Sequence, residues 1–554
     1  MNNFKEKVIY QIYPKSFKDT TGNGVGDLQG IVEKIPYLKE LGVDMIWLNP
    51  IFPSPQRDNG YDVSDYTAIN PLFGTMSEFE DLVKKLKAEG IGVMLDMVFN
   101  HTSTEHEWFQ KALAGDKKYQ DYYILRPLQA EGSLPTNWES KFSGPAWERF
   151  GETDLYYLHL FDVTQADLNW RNPEVRAEMH NILNFWLDKG VEGFRFDVMN
   201  LIGKDEELID ALPGQIDKLL YTDRPIAHTF IREMNQAAFG QRENIVTVGE
   251  MSSTTIEQGQ LYSNPERDEL TMIFSFHHLK VDYQDGQKWT KMPYDFMALK
   301  NILNDWQVGM SDGNGWNALF WNNHDQPRAL NRFGDTGQYR EKSAKMLGAT
   351  IHLMRGTPYI YQGEEIGMLN PDYASITDFV DVESHNAYAE LVANGMSEDE
   401  ALMMIQEKSR DNSRSPMQWD TSLHAGFTEG TPWLQLGKTF EEINVAADLA
   451  SETSVFKFYQ QLIQLRKHYA VISEGEYVPH LMEHERIFSY IRQTDAEELI
   501  VWNNFYDQVE EIIIPSEYVV AGEVLLSNED EQPAIDNDRY LLKPFETLVL
   551  YRRK

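Results

Sequence analysis

The 554-residue chain contains no cysteine. That excludes disulfides, thiolate metal sites and a cysteine nucleophile, and it suits a reducing compartment. No apolar run is long enough to span a bilayer, and the first residues, MNNFKEKVIYQIYPKSF, hold no apolar signal core. A cytoplasmic location is the expectation. Positive charge is scarce: 50 Lys and Arg stand against 87 Asp and Glu, a formal net charge of −37. Nucleic acid and anionic membrane surfaces are therefore excluded as partners, and an anionic substrate would need a local cationic pocket. No Gly-rich phosphate cradle stands between a strand and a helix, so no organic cofactor is implied.

What is present is a long alternation. Short β-rich apolar runs occupy Val8–Phe17, Val43–Phe52, Ile91–His101, Val191–Asp197, Ile245–Met251, Met272–His278, Ala318–Asp325 and Pro358–Glu364. Between the first two, Leu28, Ile31, Ile35, Leu38 and Leu41 recur at helical spacing. Eight strands alternating with helices predict parallel βαβ units closing into a (β/α)8 TIM barrel. The run ends carry polar or ionisable groups, among them His101, Asp197, Glu250, His277, His278, Asp325 and Glu364. Barrel active sites are built at such C-terminal strand ends.

Two intervals exceed simple connections. Residues 102–173 follow the third run and read as an inserted domain. Residues of about 368–440 follow the eighth and read as a lid, with a helical stretch at Ser397–Lys408. From residue 476 the period becomes two, in Ile487–Arg492, Leu499–Asn503, Val509–Ile514, Glu523–Leu526 and Leu541–Tyr551. The α/β architecture expected is thus a catalytic barrel over 1–101 and 174–475, an insert after strand three, and a C-terminal antiparallel β domain over 476–554.

Hydrolysis of a glycosidic bond with retention needs two carboxyl groups, one attacking the anomeric carbon and one serving first as acid and then as base. Four segments supply candidates: Asp96-Met-Val-Phe-Asn-His101, Gly193-Phe-Arg-Phe-Asp197, Val248-Gly-Glu250 and Asn322-Asn-His-Asp325. Arg195 lies two residues before Asp197, so both side chains face one side of a strand. A guanidinium there favours an ionised nucleophile. A paired buried Asp and Arg can equally be a structural salt bridge.

In this order the four segments resemble the α-amylase superfamily, glycoside hydrolase family 13. The resemblance spans nearly the whole chain. It implies Asp197 as nucleophile, Glu250 as acid/base with a raised pKa, and Asp325 as the carboxylate that binds sugar hydroxyls. It implies Arg195, His101 and His324 as neighbours of the reaction centre. In Gly60-Tyr-Asp62 it implies Tyr61 stacking on the terminal glucose and Asp62 binding its outer hydroxyls. The segment Ser409–Trp419 resembles exo-acting members, in which Arg410 would pair with Asp62 and close the pocket; Arg414 is a competing partner. Val198, after the nucleophile, resembles members cutting α-1,6 or α-1,1 bonds.

Beyond strand six, Phe274–Trp289 places His277 and Lys280 where neutral-sugar oligo-1,6-glucosidases carry acidic residues. A phosphate on the leaving sugar would explain this reversal, with Lys280 and Lys288 as charge-assisted donors and His277 or His278 assisting. The bland alternative is a loop of solvated lysines. This stretch, with Tyr10–Phe17 and Pro135–Phe142, resembles the phospho-α-1,1-glucosidase branch, which implies hydrolysis of the small molecule trehalose 6-phosphate to glucose and glucose 6-phosphate. A monomer is the expectation. The rival within the fold is an oligo-1,6-glucosidase or dextran glucosidase acting on isomaltose-type sugars, with a sucrose isomerase behind it. The rival outside catalysis is a transporter heavy-chain ectodomain, which would need a membrane anchor and lost carboxylates.

In Asp19–Asp27, oxygen donors alternate at Asp19, Thr21, Asn23, the Val25 carbonyl and Asp27. The spacing resembles the calcium loop of related glucosidases, so a structural Ca2+ or Mg2+ is one reading. A metal-free glycine-rich turn is the other.

Overall fold

The computed structural model describes residues 4–531, 533–535 and 537–554. The first three residues of the expected catalytic segment, and Gln532 and Asp536 of the expected C-terminal domain, lie outside these.

Eight parallel strands occupy the eight apolar runs: β1 (Ile9–Ile12), β2 (Met45–Leu48), β3 (Gly92–Met97), β4 (Gly193–Phe196), β5 (Val246–Glu250), β6 (Met272–Phe274), β7 (Ala318–Leu319) and β8 (Thr357–Tyr361). They form one sheet in the order β6-β5-β4-β3-β2-β1-β8-β7, the sequential order of a (β/α)8 barrel. Each strand is shorter than its run, and at several of them the polar end lies beyond the ladder, although Glu250 stays on β5. After β7, for example, the Asn323 side chain accepts the backbone N–H of Asp325 at 2.8 Å and turns the chain away. The predicted helix between β1 and β2 is two helices, Leu28–Glu33 and Ile35–Leu41. Pro36 stands in the first turn of the second, where its missing N–H costs no intrahelical bond.

The chain divides into two compact units. The first comprises Trp47–Phe276 and Val380–Ala401. It holds the insert, where His101–Ser103 pairs antiparallel with Gln165–Asp167. Leu155–Leu158 is the central strand between Leu125–Pro127 and Trp147–Arg149. The insert core of Ile124, Trp138, Ala146, Trp147, Leu158 and Leu160 also takes in Val198, directly after β4.

The second unit comprises residues 4–46, His277–Phe379 and Leu402–Lys554. Its C-terminal strands are β9 (Glu476–His480), β10 (Ile487–Gln493), β11 (Glu497–Asn504), β12 (Glu510–Ile513), β13 (Glu523–Ser527), β14 (Arg539–Leu542) and β15 (Thr547–Arg553). They form an antiparallel sheet β9-β10-β11-β15-β13 and a β12-β14 ribbon. The run read as Leu541–Tyr551 is two strands, because Phe545, after Pro544, takes a left-handed φ of 52°. Pro479 hides β9 from the alternation, and β9 is an edge strand, where proline is tolerated. This sheet is tied to the helix Arg340–His352: Tyr490 donates from its hydroxyl to the Thr350 carbonyl at 2.7 Å, and Arg492 Nη1 to the Leu353 carbonyl at 2.7 Å. Lys300 Nζ donates to the carbonyls of Leu481, His484 and Ile487, the last two at 2.8 and 3.1 Å.

Candidate active site

In the first unit, sheet register builds the centre. On β4, Arg195 is the partner of Asp96 on β3 and of Val248 on β5. Side chains alternate along a strand, so Asp197 and Glu250, each two residues further on, fall on the face of Arg195. All four are buried, Arg195 and Asp96 to 1% exposure and Asp197 and Glu250 to 7% and 9%.

One guanidinium joins the three carboxylates. Arg195 Nη1 donates to Asp96 Oδ1 and Asp197 Oδ1, both at 2.7 Å. Its Nη2 donates to Glu250 Oε2. The predicted nucleophile and acid/base therefore share a single arginine, which places them as near neighbours on one wall. Retaining pairs stand about 5 to 5.5 Å apart.

Asp96 headed a motif in the sequence without being given a role. Its Oδ2 accepts from Trp47 Nε1 at 3.1 Å and from the Tyr61 hydroxyl at 2.9 Å. Burial pushes its carboxyl up to about 7, opposed by Arg195 and reinforced by Asp197. Tyr61 in turn accepts from Asn49 Nδ2 at 2.7 Å, so its ring is held through its hydroxyl. The preceding Gly60 has φ of 105°, a conformation that favours glycine.

Asp62 accepts from the Ser54 hydroxyl at 2.9 Å and from the backbone N–H groups of Arg57 and Asp58 at 2.9 and 3.1 Å. Burial raises its pKa against these donors. His101 Nε2 donates to the Tyr61 carbonyl at 3.0 Å. Burial pushes its imidazole down, against the pull of Asp167 and Asp197. Val198 has φ of 37°, left-handed for a β-branched residue and so a point of stored strain beside Asp197.

In the second unit Asp325 gathers its own partners. Arg414 Nη2 lies 2.7 Å from Asp325 Oδ1, Arg410 Nη1 lies 3.5 Å from the same oxygen, and His324 Nε2 is 3.2 Å from Oδ2. Gln11 Nε2 lies 3.0 Å from His324 Nδ1, and an amide N–H pointing there leaves the ring proton on Nε2, facing Asp325. Although burial opposes it, His324, Arg410 and Arg414 hold the Asp325 carboxyl well below the usual range. Gln11 is a contributor that sequence patterning missed; it lies inside β1, and only the alternation of a buried strand hints at its direction.

The residues of the predicted cationic segment separate. His277–Lys280 forms a short 3-10 turn. His277 stacks on Trp306 with centroids 5.4 Å apart, and Lys288 Nζ lies 4.6 Å over the Trp289 ring. His277, Lys280 and Lys288 are partly exposed. His278 differs from these three. It is buried, its Nε2 donates to the Phe320 carbonyl at 2.9 Å, and burial pushes its pKa down to about 3.

The Asp19–Asp27 loop satisfies its carboxylates internally. Asp19 accepts N–H groups from Thr21, Gly22 and Gly24 at 2.8 to 2.9 Å and the Thr428 hydroxyl at 2.5 Å. Asn23 Oδ1 accepts the Val25 N–H at 2.8 Å. Asp27 accepts the N–H of Thr20 and, as N-cap of the helix Leu28–Glu33, that of Gly30 at 2.7 Å. These contacts hold the turn together and take up part of the acceptor capacity of each carboxylate. Among the described residues no cluster of three or more His, Cys, Asp or Glu side chains suits a metal.

The family described as alpha amylase, catalytic domain, matches residues 11–475. The chain belongs to the α-amylase family. Within this α-amylase family, it is 52% identical over 550 residues to a trehalose-6-phosphate hydrolase of Bacillus subtilis, covering 99% of this chain and 97% of that relative. It is 47% identical over 554 residues to an oligo-1,6-glucosidase of Parageobacillus thermoglucosidasius, covering 99% and 98%. The crystal structure of Bacillus licheniformis trehalose-6-phosphate hydrolase superposes with a TM-score of 0.95 at 49% identity, with 100% of each chain covered.

Proposed function

We propose that this α-amylase family member is a retaining, exo-acting α-glucosidase that hydrolyses trehalose 6-phosphate to glucose and glucose 6-phosphate. The observation that carries the chemistry is the shared arginine: Arg195 donates to Asp197 from one nitrogen and to Glu250 from the other. Asp197 attacks the anomeric carbon of the unphosphorylated glucose. Glu250 protonates the glycosidic oxygen, and glucose 6-phosphate leaves. Glu250 then takes a proton from water, which displaces Asp197 and restores the original anomeric configuration. Asp325, kept ionised by its cationic neighbours, accepts from sugar hydroxyls, and Tyr61 stacks on the glucose ring.

The identity to trehalose-6-phosphate hydrolases supports the substrate. So does the cationic character of His277, Lys280 and Lys288 in a chain of net charge −37. A phosphorylated sugar does not cross a bilayer unaided, which supports a reaction in the cytoplasm. We take a monomer as the working state, to be checked by size-exclusion chromatography with light scattering. Initial rates on trehalose 6-phosphate, trehalose and isomaltose test the reading. The phosphorylated disaccharide is expected to be fastest by well over tenfold; faster turnover of isomaltose would select an oligo-1,6-glucosidase instead.

A further inference from the structure

Three buried charges outside the catalytic centre bracket the turn that carries Lys280. Asp282 is a carboxylate 5% exposed, and two cations converge on it. Arg332 Nε lies 3.1 Å from its Oδ2 and Arg332 Nη2 2.7 Å from its Oδ1, a two-pronged contact. Lys408 Nζ lies 2.7 Å from Oδ2. The same cations reach the backbone on both sides of Lys280: Arg332 Nη2 donates to the Leu279 carbonyl at 2.5 Å and Lys408 Nζ to the Asp282 carbonyl at 3.0 Å. On the preceding side His278 is tied to Phe320. The anchors come from separate elements, Arg332 from the helix Ala329–Phe333 and Lys408 from the end of the helix Glu398–Lys408.

A surface loop of lysines needs no such support. Burying one acid and two bases is costly unless each is paired, and a fully paired network fixes geometry more than it adds stability. The pairing also has an electrostatic effect. Asp282 is the acid nearest in sequence to Lys280, and two cations cover its single negative charge. The segment then presents a positive balance to an incoming anion. Arg332 further donates from Nη1 to Gln326 Oε1 at 3.2 Å, beside Asp325, so one guanidinium links the Lys280 turn to the segment carrying Asp325.

We propose that Arg332, Asp282 and Lys408 are positioning residues for the phosphorylated substrate, holding the His277–Lys280 turn so that its cations meet the phosphate. This rests on the proposed phosphosugar specificity. The test is Lys408→Met, which keeps the length of the side chain and leaves Arg332 on Asp282. Steady-state kinetics are read on trehalose 6-phosphate and on neutral p-nitrophenyl α-glucoside. The expected result is a KM for trehalose 6-phosphate raised about tenfold with kcat within about twofold, and little change on the neutral glycoside. Parallel loss on both substrates, or no change on either, overturns the proposal. If Lys408→Met does not fold, Arg332→Lys is read in the same way, with the same outcomes deciding. Wild type is measured alongside. Without a wild-type preference for the phosphorylated sugar, the functional reading fails and takes this inference with it; with that preference intact and Lys408→Met unaltered, only the positioning role fails.

Discussion

Arg195 donates to Asp197 across 2.7 Å from the same nitrogen that holds Asp96. Replacing Asp197 therefore leaves the guanidinium two other carboxylates. Asp197→Asn is expected to fold normally, with an unshifted melting curve, and to lose about 10^3-fold or more in kcat. Glu250→Gln is expected to fail on trehalose 6-phosphate yet release a burst of p-nitrophenol from p-nitrophenyl α-glucoside, whose leaving group needs no proton. Wild-type turnover by Asp197→Asn would remove the hydrolase assignment.

The phosphate reading stands on Lys280 and Lys288. The double substitution to alanine is expected to lower kcat/KM for trehalose 6-phosphate about 100-fold, in keeping with two charge-assisted contacts, and to spare p-nitrophenyl α-glucoside. The selectivity ratio is the measurement. An unchanged ratio would return both lysines to the status of solvated surface residues.

The Asp19–Asp27 loop predicts indifference to chelation. Its carboxylates already accept N–H and O–H groups, so removing divalent ions is expected to leave Tm within about 1 °C, far below the shift from losing a bound ligand. A fall of several degrees in EDTA, reversed by Ca2+, would reinstate the metal.

Asp325 supplies the pH dependence. Burial opposes ionisation, yet His324, Arg410 and Arg414 depress its folded pKa well below the ordinary carboxylate range. Its contribution to stability is then complete above the unfolded pKa of about 3.9 and drains away as pH falls through the lower folded value. Asp325→Asn should lower Tm near neutrality by several degrees, and the gap to wild type should narrow in acid below about pH 3.9. Melting curves at neutral and acid pH check this; a gap that widens in acid would contradict it.

The barrel was legible because eight apolar runs alternate with helical patterns, and Arg195 with Asp197 because two residues along a strand share a face. Other features depend on contacts between segments remote in sequence. The burial of His278 follows from the Phe320 carbonyl, 42 residues away. The partners of Asp282 lie 50 and 126 residues off, on helices that periodicity finds without saying where they point. Alternating oxygens in Asp19–Asp27 look the same in sequence whether they face an ion or the N–H groups of their own turn. Strand ends were overestimated where side-chain turns such as that at Asn323 take over from the ladder.

Lys300 and Arg492 put a mechanical condition on the C-terminal sheet. Cutting the chain before β9 would strip an ammonium of the three carbonyls around it and leave the last turn of the helix Arg340–His352 without its Tyr490 and Arg492 donors. A shortened enzyme would then carry a stranded cation and a frayed helix next to β8, so the sheet behaves as a brace cast with the barrel and not as an accessory that can be removed.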